Sequence, residues 1–129
     1  MLILYVEDNP QNMRLVRKML KGAGHEMIEA PDGVCGLEMA QQQRPDLILM
    51  DINLPDIDGI EVTQCIKANP EIAGIPIIAL TANAMVGDRE AFLEAGCDGY
   101  LAKPVSRREL TNTVAYFLKD LAVPAQLNV

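Results

Sequence analysis

The sequence predicts an α/β fold in which five parallel strands form one doubly wound sheet. Five short strand-like runs, four of them apolar throughout, alternate along the 129 residues with segments whose apolar residues recur at helical spacing. The connections between these segments are short, as they are in right-handed βαβ units. Polar residues follow four of the apolar runs, and the carboxyl ends of parallel strands lie along one edge of their sheet. We therefore expect helices on both faces of the sheet and a ligand site at that edge.

Two βα units are predicted in the first third of the chain. Leu2–Val6 is the first strand and 27–30 is the second, with an amphipathic helix between them that stops at Gly22 or Gly24. A second helix begins after the turn residues 31–33. The positions predicted to face the core are Met13, Val16, Met19, Leu20 and Ala23 in the first helix, and Val34, Leu37 and Ala40 in the second.

The middle of the chain is predicted to form two further βα units, and the first of them begins with a central strand. The run 47–50 contains no polar residue, which is typical of a strand covered on both faces. The turn-rich segment 53–59 leads to a third helix that ends at Asn69. A fourth strand follows Pro76, and a fourth helix spans about Val86–Ala95. The third helix is predicted to bury Ile60, Val62 and Ile66.

A brief fifth strand and one more helix complete the predicted domain. Ser106 followed three residues later by Glu109 has the spacing of a capping box. We expect the domain to span residues 1–121 and residues 122–129 to form a short tail. Among doubly wound arrangements, the flavodoxin-like (βα)5 order 2-1-3-4-5 suits five strands and puts the switch point between strands one and three. The closing helix is predicted to bury Leu110, Val114, Phe117 and Leu121.

Composition argues against several classes of function. The net charge of −7 argues against direct binding of nucleic acid, which requires a basic surface. The apolar runs are too short for membrane insertion, and no export signal is present, so a cytoplasmic location is expected. The three cysteines have no CxxC spacing, which argues against a disulfide framework or a zinc site. We expect Cys35, Cys65 and Cys97 to fill the core.

Three acidic residues are predicted to meet at the switch point. Glu7 and Asp8 follow strand one and Asp51 follows strand three, while Thr81 and Lys103 end strands four and five. Two carboxylates about 4 Å apart repel by about 4 kcal/mol at an effective dielectric constant near 20. Either a shared proton raises one pKa or a cation binds, and we favour the cation. Oxygen ligands with room for water suit Mg²⁺, with Mn²⁺ as a second possibility.

The same edge is equipped for phosphoryl transfer. A divalent ion, the Thr81 hydroxyl and the Lys103 ammonium form a receptor for three phosphoryl oxygens. The sequence has neither a Walker lysine motif nor GxGxxG to hold a nucleotide. We therefore expect Asp51 to be a nucleophile that forms an aspartyl phosphate. The predicted metal ligands are Glu7, Asp8, one oxygen of Asp51 and the backbone carbonyl of Asn53.

These motifs resemble the signature of response-regulator receiver domains of two-component signalling. They are Glu7-Asp8-Asn9, the stretch 51–59, the triplet 80–82 and the pair Lys103-Pro104, and the resemblance covers nearly the whole chain. It implies a phospho-acceptor that is not an enzyme and that depends on Mg²⁺. The phosphoryl donor would be a histidine kinase or a histidine phosphotransfer protein, and the output would be binding of a downstream protein target.

The resemblance also implies individual roles. Asp51 is the phosphorylation site, and Lys103 contacts the phosphoryl group. Thr81 and Tyr100 are the switch residues, which remodel the face formed by helix four, strand five and helix five. The peptide bond before Pro104 is expected to be cis. The positions implied to tune dephosphorylation are Asn53 and Asn83.

Two functions of other classes are alternatives. A haloacid-dehalogenase-like phosphatase also uses an aspartate nucleophile, but it requires a second acid where this chain has Asn53, and a cap region for which the chain has no length. A flavodoxin-type flavin or nucleotide module is disfavoured because the acids after strand one would repel a phosphate.

Among receivers, a single-domain regulator of the chemotaxis or cell-cycle type is favoured over the receiver module of a hybrid histidine kinase. Homodimerisation is left open.

Overall fold

The computed structural model describes residues 1–52, 54–82 and 86–118, and it confirms the predicted sheet. All strand pairs are parallel, and the strand order is β2-β1-β3-β4-β5. Asn53, Asn83 and Leu121 lie outside the described residues, as does the predicted tail. The strands are β1 (Leu2–Val6), β2 (Glu26–Ala30), β3 (Leu47–Asp51), β4 (Ile77–Thr81) and β5 (Gly99–Ala102), and the helices are α1 (Pro10–Gly22), α2 (Gly33–Gln43), α3 (Gly59–Ala68), α4 (Val86–Ala95) and α5 (Arg107–Leu118).

Helices cover both faces of the sheet and divide the core into two clusters. Every residue of β3 and β4 is buried, as their unbroken apolar runs predict. Alternate residues of each strand face opposite clusters, so that Ile3 and Tyr5 belong to the cluster under α1 and α5, and Leu4 and Val6 to the cluster under α2, α3 and α4. This alternation fixes which side chains of the strand ends share one face of the sheet.

Helix ends are defined by side-chain caps. The Asn9 side chain accepts N–H bonds from Gln11 at 2.8 Å and Asn12 at 3.1 Å, and begins α1. One of the two bonds of the predicted capping box of α5 is present, since the Ser106 hydroxyl accepts the Glu109 N–H at 3.1 Å; the hydroxyl also donates to the Glu109 carboxylate at 3.2 Å. Of the helices that the structure describes, none is both long and apolar enough to cross a membrane.

The predicted inner face of α2 was wrong in one position. Val34 is 48% exposed, whereas Gly33, Gly36 and Ala40 are buried. The helix packs its glycine side against β1, since a Cβ on Gly36 would come within 2.7 Å of the Val6 side chain. This close approach turns Val34 away from the sheet. Ala23 is exposed as well, because it is the C-cap of α1 and lies beyond the last buried turn.

The other predicted core positions within the described ranges are buried or partly buried, but the cysteines differ from expectation. Cys97 is buried, Cys35 is partly buried and Cys65 is exposed. Cys65 lies on α3 between the buried residues Val62 and Ile66, at a position that faces outward. The prediction that all three cysteines fill the core was therefore wrong for Cys65.

A lysine joins several chain segments at the amino edge of the sheet. Lys67 of α3 donates to the carbonyl oxygens of Ala73 at 3.0 Å and Ile75 at 2.9 Å, and its ammonium lies 3.1 Å from the Asp98 carboxylate. The same Asp98 oxygen accepts the Ile77 N–H at 2.8 Å. These contacts tie the end of α3, the loop after it and the beginnings of β4 and β5 together.

Candidate functional site

The predicted acidic cluster is present at the carboxyl edge of the sheet. One carboxylate oxygen from each of Glu7, Asp8 and Asp51 lies within 4.8 Å of the others. β1 and β3 are neighbours with Val6 opposite Met50, so the residues that follow, Glu7 and Asp51, lie side by side. Both are only 2% exposed, whereas Asp8 is exposed. The strand order thus brings together acids that are 44 residues apart in the sequence.

Lys103 bridges the two buried acids from the end of β5. Its ammonium nitrogen lies 2.8 Å from Glu7 Oε1 and 3.1 Å from Asp51 Oδ1. The backbone N–H of Lys103 donates to the Thr81 carbonyl at 2.8 Å, which fixes the start of the loop after β5. The Lys103–Pro104 peptide bond is cis, as expected.

Tyr5 is part of the site and was missed by the sequence analysis. It is 1% exposed, and its hydroxyl donates a hydrogen bond to Glu7 Oε1 at 2.8 Å. The other Glu7 oxygen, Oε2, accepts the backbone N–H of Asn9 at 3.2 Å. The signal in the sequence is an aromatic hydroxyl two positions before Glu7, on the same face of an otherwise aliphatic strand.

Burial and neighbouring charges perturb the ionisation of this cluster. Burial, reinforced by Glu7, raises the pKa of Asp51 to about 6, although Lys103 opposes the shift. Burial also acts to raise the pKa of Glu7, but the hydrogen bonds from Lys103 and Tyr5 outweigh it and lower that pKa below its ordinary value. Burial and the Glu7 charge raise the pKa of Tyr5, whose phenol remains neutral. Burial acts to lower the pKa of Lys103, but Glu7 and Asp51 outweigh it and the pKa is raised.

This donor set fits a hard divalent cation. Three carboxylates and one ammonium carry a formal charge of −2 when all are ionised. Lys103 acts to lower the pKa of Asp51, but burial and Glu7 outweigh it and the pKa is raised, so a cation would favour the ionised form of Asp51. The available ligand atoms are carboxylate oxygens, which Mg²⁺ and Mn²⁺ prefer. Asn53, predicted to supply a carbonyl ligand, is outside the described residues.

The predicted switch residues lie along β4 and β5. Thr81 is 2% exposed and lies one position beyond Leu80, which is opposite Asp51 in the sheet register. Tyr100 is partly buried against the cluster under α2, α3 and α4, and it is opposite Ala79. Thr81 therefore lies at the carboxyl ends of the strands, as Asp51 does. Tyr100 lies on β5, the outermost strand of the sheet, which pairs with β4. The switching roles of both residues stay predictions, as does the role of Asn83.

The loop after β3 is held close to Asp51 by contacts that the sequence did not reveal. A Cβ on Gly59 would come within 2.3 Å of the Asp51 carbonyl oxygen, so the backbone there has no room for a side chain. Gly59 N–H donates to the Ile52 carbonyl at 3.0 Å. The Asp56 carboxylate accepts the backbone N–H groups of Gly33 at 2.8 Å and Val34 at 3.0 Å, which joins the loop to the N-terminus of α2.

Solved structures share this fold, and one of them holds a magnesium ion in its active-site cleft. The receiver domain of the sensor histidine kinase PA1611 from Pseudomonas aeruginosa, solved with a magnesium ion coordinated in its active-site cleft, has 44% sequence identity and a TM-score of 0.85, over 91% of this chain and 96% of that one. The chemotaxis response regulator CheY4 of Vibrio cholerae has 29% identity and a TM-score of 0.86, over 91% of this chain and 98% of that one. The fold and the acidic edge together are those of a signalling receiver.

Sequence comparison identifies the family. The family profile described as the response regulator receiver domain matches residues 3–115. The polar-differentiation response regulator DivK of Brucella anthropi is 43% identical over 118 residues, which are 92% of this chain and 96% of that protein. The chain therefore belongs to the response regulator receiver domain family of two-component signalling. The predicted fold and family are confirmed, and membership implies histidine kinases as partners.

Proposed function

We propose that this chain is a phospho-acceptor in which Asp51 takes a phosphoryl group from a phospho-histidine. The observation that carries the proposal is the buried Asp51 carboxylate, which lies 3.1 Å from the Lys103 ammonium within an acidic cluster. The donor is a histidine kinase or a histidine phosphotransfer protein. The phosphatase and flavin-module alternatives gain no support from this geometry.

The transfer requires an ionised nucleophile and neutralisation of phosphoryl charge. An Asp51 oxygen forms a bond to phosphorus as the phosphorus–nitrogen bond to histidine breaks, and the bonding electron pair returns to the imidazole nitrogen. A pKa of about 6 leaves Asp51 mostly ionised at neutral pH. Lys103 and the Thr81 hydroxyl would bind phosphoryl oxygens at the edge of the sheet.

The acids have a second role as metal ligands. Glu7, Asp8 and Asp51, with the backbone carbonyl of Asn53, would hold Mg²⁺, and Mn²⁺ has the same ligand preference. When bound, the ion neutralises negative charge on the carboxylates and on the phosphoryl oxygens. The magnesium ion in the cleft of the PA1611 receiver, at 44% identity, supports this assignment.

Phosphorylation is proposed to act on the face formed by α4, β5 and α5. An aspartyl phosphate adds charge beside Lys103 and Thr81, and their movement toward it shifts the balance between two packings of this face. Tyr100 is partly buried on β5, so its ring is placed to respond. The remodelled face binds a downstream protein target or a second copy of the chain, and Asn53 and Asn83 tune the lifetime of the phosphoryl group.

The proposed setting is the cytoplasm, with no membrane insertion and no direct contact with nucleic acid. The output is protein binding and not turnover of a substrate, so the chain acts as a signalling module and not as an enzyme. Relatives of two architectures have nearly the same identity, 43% for DivK and 44% for the receiver of a sensor histidine kinase. The acceptor chemistry is proposed for a stand-alone regulator and holds equally for the receiver module of a hybrid kinase.

Intact-mass spectrometry after incubation with acetyl phosphate tests the proposal. We expect one added phosphoryl group that requires both Mg²⁺ and Asp51, so Asp51→Asn should show none. Asp58→Asn is the matched control, because Asp58 is an exposed aspartate at the end of the loop that follows Asp51. Released phosphate is measured in parallel, since rapid hydrolysis would hide the adduct. Neither an adduct nor released phosphate, in a preparation that binds Mg²⁺, would contradict the proposal.

A further inference from the structure

Packing does not require the hydroxyl of Tyr5, because the ring of a phenylalanine would fill the same space. The ring is 1% exposed in the cluster under α1 and α5, between aliphatic neighbours on β1. Burying a hydroxyl costs free energy unless it is hydrogen-bonded, and here the bond is 2.8 Å long and directed at Glu7 Oε1. The hydroxyl is therefore explained by its contact with the carboxylate and not by the fit of the ring.

The two Glu7 oxygens have different hydrogen-bonding partners. Oε1 accepts from the Tyr5 hydroxyl and from the Lys103 ammonium, both at 2.8 Å, which uses its two lone pairs. Oε2 accepts the Asn9 N–H at 3.2 Å, which is a longer bond than the two at Oε1. Oε1, with two short hydrogen bonds, is therefore less available to a cation than Oε2.

Lys103 is shared between two acids, whereas the Tyr5 hydroxyl is directed at Glu7. The Lys103 ammonium also lies 3.1 Å from Oδ1 of Asp51, and the Asp51 carboxylate is the group that would carry the phosphoryl group. If Lys103 turns to a phosphoryl group, its bond to Glu7 weakens. Tyr5 donates to Glu7 from within the strand, so this bond can remain when Lys103 turns to the phosphoryl group.

We propose that Tyr5 is a positioning residue of the metal site: its hydroxyl holds the Glu7 carboxylate in the orientation that binds the cation, both before and after Lys103 turns to the phosphoryl group. This inference rests on the proposed function. Hydrogen bonds to a metal ligand from outside the coordination sphere orient that ligand, and their loss typically weakens metal binding about 10- to 100-fold.

The test is the affinity of the folded protein for Mn²⁺, with free Mn²⁺ measured by electron paramagnetic resonance. Tyr5→Phe keeps the ring and removes only the hydroxyl, and we expect its Kd for Mn²⁺ to rise about tenfold. Tyr116→Phe is the matched control, because Tyr116 is 57% exposed on α5, and its Kd should equal that of the wild type. A role confined to packing would lower the stability of Tyr5→Phe but leave the Kd unchanged.

Near-ultraviolet absorption gives a second measurement. The chain has three tyrosines and no tryptophan, so a difference spectrum on adding Mg²⁺ reports tyrosine environments. We expect the signal of the wild type and of Tyr116→Phe to be reduced in Tyr5→Phe. A signal as large in Tyr5→Phe as in the wild type would overturn the inference.

A double-mutant cycle keeps the inference testable even where Tyr5→Phe loses stability. Tyr5 and Lys103 donate to the same oxygen, so Tyr5→Phe should weaken Mn²⁺ binding more in a Lys103→Met background than in the wild type. No loss of Mn²⁺ affinity from Tyr5→Phe in either background would overturn the inference. If the wild type itself binds neither Mn²⁺ nor Mg²⁺, the metal site of the proposed function fails together with the role of Tyr5. If the wild type binds and Tyr5→Phe binds equally well, only the role of Tyr5 fails.

Discussion

Replacing Asp51 with asparagine should stabilise the folded protein when no metal is present. Asp51 is 2% exposed beside Glu7, and burial raises its pKa to about 6 from the ordinary 3.8. The folded state therefore binds this proton more tightly than the unfolded state does. The contribution of protonated Asp51 to the free energy of unfolding is fully present below about pH 4, and it is lost as the pH rises through about 6.

The size of the effect follows from the pKa. The pKa of Asp51 is raised by about 2 pH units, and each unit corresponds to about 1.36 kcal/mol, so ionisation costs the wild type about 3 kcal/mol at neutral pH. Asparagine keeps the shape of the side chain without its charge. The value of about 3 kcal/mol already includes the attraction of Lys103, and asparagine does not reproduce every hydrogen bond of a protonated carboxyl group, which offsets part of the gain. We expect Asp51→Asn to be more stable than the wild type by about 1–3 kcal/mol near pH 7.5.

Urea unfolding followed by far-ultraviolet circular dichroism, with EDTA present, measures this difference. The gap between variant and wild type should shrink as the pH is lowered and disappear near pH 4. Added Mg²⁺ should stabilise the wild type and narrow the gap near pH 7.5. Asp58→Asn is the control, because its side chain caps α3 through Ile60 N–H and asparagine caps equally well. A variant less stable than the wild type near neutral pH, or a gap that is independent of pH, would refute the reasoning.

Three further substitutions test other parts of the structure by the same urea assay. Lys103→Met should cost about 1.5–3 kcal/mol without metal, because Glu7 and Asp51 lose their shared donor, and Mg²⁺ should restore more stability than in the wild type. Gly59→Ala should cost about 1–3 kcal/mol, because its Cβ would meet the backbone at Asp51, whereas Gly74→Ala, with open space around it, should be neutral. Asn9→Ala should cost about 1 kcal/mol through loss of the α1 cap, and Asn9→Ser should recover most of it; equal losses in both would contradict a capping role.

The sheet and its acidic edge were predictable because parallel strands leave few choices. The unbroken run 47–50 indicated a central strand, and the 2-1-3-4-5 order then required Glu7 and Asp51 to be neighbours. Lys103 could be assigned to the same edge because it ends the last strand. The site therefore follows from strand order and from which residue ends each strand, both of which a single sequence contains.

The remaining contacts depend on packing that periodicity does not reveal. Tyr5 fits an apolar strand as well as any core residue, and only the geometry shows that its hydroxyl reaches Glu7. The exposure of Val34 results from the glycine side of α2 lying against Val6. The bond from Gly33 N–H to Asp56 joins segments 23 residues apart and has no local sequence signal. Each of these features requires a distance between elements, which helical and strand patterns do not give.

The contacts of Lys67 and Asp98 stabilise the amino edge of the sheet, at the opposite end from the acidic cluster. Lys67 and Asp98 join α3, the loop after it and the starts of β4 and β5, at the opposite end of the strands from Glu7 and Asp51. Stability contributions from sites this far apart in the structure add nearly independently. Strengthening the amino edge should therefore raise the tolerance of the chain for destabilising substitutions around Asp51. Substitutions that strengthen the contacts around Lys67 could therefore precede the redesign of phosphoryl lifetime or partner choice, and they would leave the chemistry of the site unchanged.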